Sequence, residues 1–157
     1  MHNCCCPTPQ TDTSSDKLIC PGDGTQGKPV QLITLKSLLE PTALEQLNPQ
    51  ESYFFCASAE CPIVYFSPAG QEFTTSDVKV AVFPKDQTET VPICYCFGWS
   101  RQRIRQEIEQ YGKSSAIASI TSHIQAKRCG CQVNNPQGFC CLANVRLAVE
   151  QAKGKML

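Results

Sequence analysis

The sequence predicts an α+β fold, in which a small antiparallel β unit is followed by a small helical unit. Aromatic and β-branched runs lie before residue 83, and apolar residues at helical spacing lie after residue 100. The stretch between them is polar and contains prolines. Since each half has only about 70 residues, an apolar core alone would give it marginal stability, and we expect metals or disulfides to stabilise it.

The β unit is predicted to begin with a glycine-rich turn at residues 20–24, followed by a short strand at 29–33. Thr34 is a suitable N-cap for a helix that contains Leu35, Leu38 and Leu39. Pro41 fits the first turn of a second helix better than the interior of one long helix.

Two aromatic and β-branched runs, at residues 53–56 and 63–66, predict neighbouring strands. Alternating valines at 78–82 predict another strand that is buried on one face. We therefore place a β domain at 19–83, a linker at 84–92 and a helical domain at 93–157. Residues 1–18 lack an apolar pattern and are predicted to form a disordered tail headed by cysteines.

Three helices are predicted in the second half. The first is capped by Ser100 and ends at Gly112, and the second begins at Ser114 or Ser115. A cysteine-rich loop follows at 129–141, and the last helix begins near Cys141. The apolar residues that define these helices are Ile104, Ile108, Ile117, Ile120, Ile124, Leu142, Val145 and Val149.

Charge and composition exclude several classes of function. Lys and Arg total 14, and Asp and Glu also total 14, so the chain has no excess cations for binding nucleic acid through its backbone. We expect no membrane span, because no apolar stretch is long enough. The N-terminus has no signal-peptide pattern, which predicts a cytoplasmic protein. There, cysteines more often bind metals than form disulfides.

The first group of cysteines has the layout of a zinc site. Cys20 lies in the glycine turn, while Cys56 and Cys61 flank a loop between two predicted strands. Zinc takes four ligands in a tetrahedron, and thiolates commonly supply most of them. Asp23 stands where a knuckle would carry its second cysteine, and its carboxylate can also bind zinc. The alternative is that these cysteines are buried apolar residues without a metal.

The second group comprises Cys94, Cys96, Cys131 and the adjacent pair Cys140 and Cys141. Four thiolates drawn from two separate loops suit a 2Fe-2S cluster. Two helices are predicted to begin at Ser100 and near Cys141, and their N-terminal backbone amides would point toward the negative charge of that cluster. Basic residues also lie nearby in the sequence, and the alternative for them is a solvated helix face. They are Arg101, Arg103, Arg105, Lys127 and Arg128.

Several segments together resemble the N-terminal region of CopZ-type copper chaperones, which pairs a zinc site with a 2Fe-2S domain similar to bacterioferritin-associated ferredoxin. The most specific of them are Cys-Tyr-Cys at 94–96 and Asn-Pro-Gln-Gly-Phe-Cys-Cys at 135–141. The resemblance runs from about Cys20 to Val145. The other matching segments are 20–24, 27–30, 34–36, 53–56, 61–66, 91–93 and 97–98.

The resemblance implies which cysteines would bind each metal. It assigns Cys20, Cys56 and Cys61 to zinc, and Asp23 departs from the cysteine of the family. It assigns Cys94, Cys96 and Cys131 to the cluster, together with Cys140 or Cys141. We favour Cys141, which lies at the predicted helix start. Cys129 is an additional cysteine that could substitute as a ligand.

We therefore expect a metal-binding iron-sulfur redox protein that couples one-electron transfer to copper handling, with a redox or metal-receiving protein as its partner. The chain contains no Cys-x-x-Cys copper loop, but His2 and the cysteines at 4–6 are candidate Cu(I) ligands. The alternatives are an electron-transfer module without metal trafficking and a cluster-stabilised regulatory domain. Because no catalytic signature is present, we do not expect an enzyme.

Overall fold

The computed structural model describes residues 18–154 and has an α+β architecture, as predicted. The predicted tail, including the cysteines at 4–6, lies outside the described residues apart from Leu18. Among residues 18–154, no helix is both long and apolar enough to cross a membrane. The strands are β1 (Lys28–Val30), β2 (Tyr53–Phe55), β3 (Ile63–Phe66), β4 (Glu72–Thr74), β5 (Pro92–Cys94) and β6 (Trp99–Ser100). The helices are α1 (Leu32–Leu38), α2 (Pro41–Leu44), α3 (Arg101–Tyr111), α4 (Ala116–Gln125), α5 (Cys131–Asn134) and α6 (Leu142–Gly154).

The first half is built on a four-stranded antiparallel sheet in the order β1-β2-β3-β4. Its strands are rich in aromatic residues, which suit a pleated surface that is buried on both faces. One face packs with α1 through Leu35, Phe55 and Tyr65, all fully buried. The opposite face packs Phe54 and Phe66 with the cysteines of the zinc group.

Two predicted elements of this half need correction. The strand predicted at 29–33 ends at Val30, and α1 begins at Leu32 with Gln31 rather than Thr34 as its N-cap. Thr34 is instead fully buried inside the helix. Pro41 does begin α2, as predicted.

The strand predicted at 78–82 is absent from the sheet, and β4, which was not predicted, occupies its edge. A short 3-10 helix (Thr75–Asp77) follows β4, and the Asp77 carboxylate accepts a hydrogen bond from the Thr74 N–H at 2.8 Å. This capping box turns the chain away from the sheet edge. Val78 pairs with Leu39 in an isolated bridge, and the burial of Val78 and Val82 in the core explains the alternation without a further strand of the sheet.

The helical half follows the sequence closely. The Ser100 hydroxyl accepts a hydrogen bond from the Arg103 N–H at 3.1 Å, and Gly112 ends α3 with a φ of 77°. The core packs Ile104, Ile120 and Val145. The β5–β6 hairpin and the single-turn α5 were not predicted, because elements of two to four residues leave little periodicity.

The two halves also touch through the loop that precedes α6. The Tyr65 hydroxyl donates a hydrogen bond to the Pro136 carbonyl at 2.5 Å, and Lys28 lies over the Phe139 ring at 5.4 Å from its centroid. Gly138 lies against Thr34 on α1. The loop before the cysteine pair is therefore held by the β half, and the domain boundaries given above remain a prediction.

Gly138→Ala is expected to lower the free energy of unfolding by about 2–3 kcal/mol in urea titrations. Its φ is 76°, and an added Cβ would lie 3.0 Å from the Thr34 Oγ1 and 3.3 Å from the Val30 Cγ1. Gly112→Ala is the matched control, because φ there is 77° but no atom lies within 4 Å of the added Cβ. Gly112→Ala should lower the free energy of unfolding only by the backbone strain of a positive φ, about 1 kcal/mol. Equal losses would show that the contact with α1 contributes nothing.

Candidate metal centres

The first centre is formed by the glycine turn and by the loop between β2 and β3. The Cys20 carbonyl accepts a hydrogen bond from the Gly24 N–H at 2.9 Å, which closes the turn. Cys56 directly follows β2, and Cys61 lies two residues before β3. A Cβ on Gly22 would lie 2.6 Å from the Cys61 Sγ, so the turn needs glycine to approach that thiol.

The ligand atoms of Cys20, Asp23, Cys56 and Cys61 all lie within 4.8 Å of one another. The Cys20 and Cys61 sulfurs are 3.7 Å apart. A tetrahedral zinc with Zn–S bonds of about 2.3 Å places its sulfurs about 3.8 Å apart. The donor set and its spacing therefore fit one zinc ion.

Asp23 differs from the three cysteines in its environment. The cysteines are buried, whereas Asp23 is exposed at the rim of the group. Hydrogen bonds from the Ser58 side chain and from Thr25 lower the pKa of Asp23. Burial raises the pKa of the Cys20 thiol, which a bound cation would counteract. The carboxylate is thus held ionised beside the Cys20 thiol, whose ionisation a cation would favour.

The second centre brings together Cys94, Cys96, Cys131 and Cys141. Cys94 ends β5, Cys96 lies in the turn after it, Cys131 begins α5 and Cys141 immediately precedes α6. The Cys96 and Cys131 sulfurs are 3.8 Å apart, and Cys141 exchanges hydrogen bonds with both Cys94 and Cys131. The four thiols thus form a continuous row drawn from two loops.

The spacing of this row differs from that of the zinc group. Within the part of the chain that the structure describes, only the zinc group has three or more ligand atoms that all lie within 4.8 Å of one another. Neighbouring thiols of the row therefore touch, but the row is too extended to surround a single ion. Two bridged metal ions, each held by one end of the row, match this arrangement better.

The thiols of the row titrate unequally because they share hydrogen bonds. A hydrogen bond from Cys141 lowers the pKa of Cys94, and the Phe97 N–H lowers it further. The bond to Cys131 and burial raise the pKa of Cys96. The bond with Cys131 lowers the pKa of Cys141, but the bond to Cys94 together with burial raises it to about 12. Cys94 is therefore the readiest of these three to act as a thiolate.

Backbone and amide donors also point at the sulfur of Cys96. The Gly130 N–H donates to it at 3.2 Å, and the Asn134 side-chain amide donates at 3.7 Å. Such bonds stabilise a thiolate and, in an iron-sulfur protein, help to set the reduction potential. Helix α5 and the residue before it thus stabilise a thiolate at Cys96.

Cys129 and Cys140 differ from the row, because both are disulfide-bonded. We expected metal ligation rather than disulfides, so this is a departure from the sequence prediction. A disulfide sulfur is not a thiolate, and in this state Cys140 and Cys129 offer no ligand to a cluster. Cys141 is a buried thiol at the start of α6, in line with the preference stated above.

The predicted basic residues divide into two sets. Arg103 lies over the Trp99 ring and donates to the Phe97 carbonyl at 3.3 Å, beside the loop of the row. Arg128 contacts His123, whose ring stacks on Phe97. Arg101 and Arg105 are directed elsewhere.

Arg101 donates to the carbonyls of Phe83 and Asp86, and Arg105 pairs with Glu89 at 2.9 Å. Sequence reasoning also missed Lys85 and Tyr95, which contact the loops of the two centres. A lysine within a polar segment and a tyrosine between two cysteines give no periodic signal from which that role could have been predicted.

Comparison with known proteins supports the first centre. Residues 17–79 match a CopZ family model described as a zinc binding domain. The X-ray structure of the Archaeoglobus fulgidus CopZ N-terminal domain superposes with a TM-score of 0.70 and 27% sequence identity, covering 83% of this chain and 96% of that chain. A search of curated proteins found no match. The chain thus contains a CopZ-like zinc-binding domain and has the α+β fold of a CopZ N-terminal domain.

Proposed function

We propose that this chain is an iron-sulfur redox protein that binds zinc at Cys20, Asp23, Cys56 and Cys61 and couples one-electron transfer to copper handling. The cluster ligands in this proposal are Cys94, Cys96, Cys131 and Cys141. The observation that carries the proposal is the extended row of four thiols in contact, beside a compact group suited to one zinc ion. The role is binding and electron transfer rather than enzymatic turnover.

The residues of the row would hold a 2Fe-2S cluster as two pairs, Cys94 with Cys141 and Cys96 with Cys131. The contacts within each pair and the donors to Cys96 support this division. A bound 2Fe-2S cluster supplies one electron at a time. Cys94, Cys131 and Cys141 are buried and Cys96 is only half-buried, so Cys96 lies on the side where an electron would enter or leave.

The copper part of the proposal rests on the CopZ likeness and on the sulfur-rich N-terminus. His2 and the cysteines at 4–6 are soft or borderline ligands that suit Cu(I). Cu(II) accepts one electron to become Cu(I), which the thiolates then retain. The partner in this role is a protein that receives the metal.

Mixing dithionite-reduced, desalted protein with Cu(II) under argon tests this role. We expect about one Cu(I) per cluster oxidised, from one-electron balance, and copper that stays with the protein on gel filtration. A chain lacking residues 1–18 should still be oxidised but should lose its copper. Cys96→Ser protein controls for reduction by thiols alone. Equally weak copper retention by the full and shortened chains would contradict the copper role.

The cations beside the row favour a second candidate, an electron-transfer module without metal trafficking. Arg103 and Arg128 lie next to the loop that carries Cys96, and both are exposed. An acidic protein partner would dock there, and its association rate would fall steeply with salt. Salt-sensitive electron transfer to an acidic acceptor, with no copper retained, would favour this candidate over the first.

Asp23→Ala is expected to weaken zinc binding without abolishing the fold, because three buried thiols remain. Asp23→Cys should restore binding or exceed that of the original chain, since a thiolate is the more common zinc ligand at such sites. Zinc affinity measured by competition with a chromophoric chelator checks both. If Asp23→Ala binds zinc as tightly as the original chain, the fourth ligand is not Asp23.

A further inference from the structure

The segment 81–89 lies between the two centres and contacts the loops of both. At the zinc centre, the Lys85 ammonium donates to the carbonyls of Ser58 and Cys61, each at 2.7 Å. Ser58 lies in the loop between Cys56 and Cys61. One half-buried lysine from outside that loop thus binds both its interior, at Ser58, and its end, at Cys61.

The position of Lys85 also matters electrostatically. A zinc ion with three thiolates and one carboxylate has a net charge of about −2, by ligand counting. The Lys85 ammonium opposes this charge from the backbone side of Cys61, and its field also reaches the Asp23 carboxylate. A polar group that orients a ligand in this way contributes measurably to metal affinity.

At the other end, the segment is bound by the loop of the thiol row. Tyr95 lies between Cys94 and Cys96 in the sequence. Its hydroxyl donates to the Ala81 carbonyl and accepts from the Phe83 N–H at 3.0 Å. The loop that would hold the cluster therefore binds the start of the segment through the Tyr95 side chain alone.

The backbone between these two contacts is a closed turn. The N–H groups of Lys85 and Asp86 both donate to the Val82 carbonyl, at 3.0 and 2.9 Å. The Val82 side chain is 2% exposed and packs in the core of the β half, while the Arg101 guanidinium stacks on Phe83 at 4.2 Å. Because the turn is fixed on both sides, displacement of its start would also displace Lys85.

We propose that Lys85 is a positioning residue of the zinc site and that Tyr95, acting through the turn at 81–85, couples the thiol-row loop to zinc binding. This inference rests on the proposed function for the identity of the two metals. By linkage, if the state of the cluster loop changes zinc affinity by some factor, zinc binding must shift the equilibrium of that loop by the same factor.

Zinc affinity of the full chain, measured by chelator competition, tests the inference through a double-mutant cycle. We expect Lys85→Met to weaken zinc binding about 10–100-fold and Tyr95→Phe to weaken it roughly 3-fold or more. The double variant should bind no more weakly than Lys85→Met, because Tyr95 acts through Lys85. Lys79→Met controls for loss of charge, since that ammonium donates to the Ser37 carbonyl instead.

Unchanged zinc affinity in Lys85→Met would overturn the positioning role. If the factors by which the two single changes weaken zinc binding multiply in the double variant, the coupling would be overturned. Should Lys85→Met fail to fold by circular dichroism, Lys85→Arg decides, because it retains the cation but changes its geometry. Its affinity should lie below that of the original chain, and an unchanged value would overturn the inference. Iron analysis of each sample separates this result from failure of the cluster itself.

Discussion

Cys141→Ser is expected to abolish the brown iron-sulfur chromophore, whereas Cys140→Ser should retain it. Cys141 contacts both Cys94 and Cys131 from the start of α6, and it is 1% exposed. Cys140 is disulfide-bonded and therefore offers no thiolate. The visible spectrum and iron content of anaerobically purified protein measure the difference. We expect iron in Cys141→Ser to fall from about two per chain to near zero, on the ligand count of a 2Fe-2S site.

The neighbouring variant is the matched control, since both changes replace a thiol by a hydroxyl at adjacent positions. Circular dichroism should show α6 in both proteins, because neither side chain supplies a helix backbone bond. Loss of the chromophore in Cys140→Ser with retention in Cys141→Ser would reverse the assignment. It would mean that the disulfide opens and that Cys140 is the ligand.

Cys61→Ser is expected to release zinc and to lower the free energy of unfolding of the β half by more than about 5 kcal/mol. The Cys61 Sγ lies 3.7 Å from the Cys20 Sγ, and the residue is 3% exposed, so its thiol is a buried member of the site. The core beneath is small, and zinc binding energy contributes directly to folding in such units. Metal analysis and thermal unfolding measured by circular dichroism check this.

Chelator treatment of the original chain provides the control for Cys61→Ser. It should lower the melting temperature by a similar amount, and it should have no further effect on the variant. A Cys61→Ser protein that keeps one zinc per chain and its melting temperature would show that the four residues do not form a structural metal site.

The sequence predicted long elements well and short ones poorly. The helices around Ile104, Ile120 and Val145 were predicted because apolar residues recur at helical spacing and Ser100 and Gly112 mark the ends of α3. The strand expected at 78–82 was wrong, because Val78 pairs with Leu39 only in an isolated bridge and the valines alternate through burial in the core rather than through a sheet ladder. Hairpin β5–β6 consists of two short strands, too few residues to show a period.

The sequence indicated more of the residues in the candidate sites than of the short elements around them. Cysteine spacing alone grouped Cys20, Cys56 and Cys61, and it placed Asp23 beside them, as the structure does. It could not choose between Cys140 and Cys141, since their spacings to every partner differ by only one residue. The supporting contacts of Lys85 and Tyr95 depend on tertiary packing, which a single sequence does not reveal.

Electron paramagnetic resonance of the anaerobically purified full chain, before and after reduction by dithionite, tests the central claim most directly. Four thiolates that hold two irons predict a brown protein with about two irons and two sulfides per chain, silent when oxidised. Reduction by one electron should then produce a paramagnetic signal of about one spin per chain. A colourless protein that contains zinc but no iron, and stays silent after dithionite, would contradict the account.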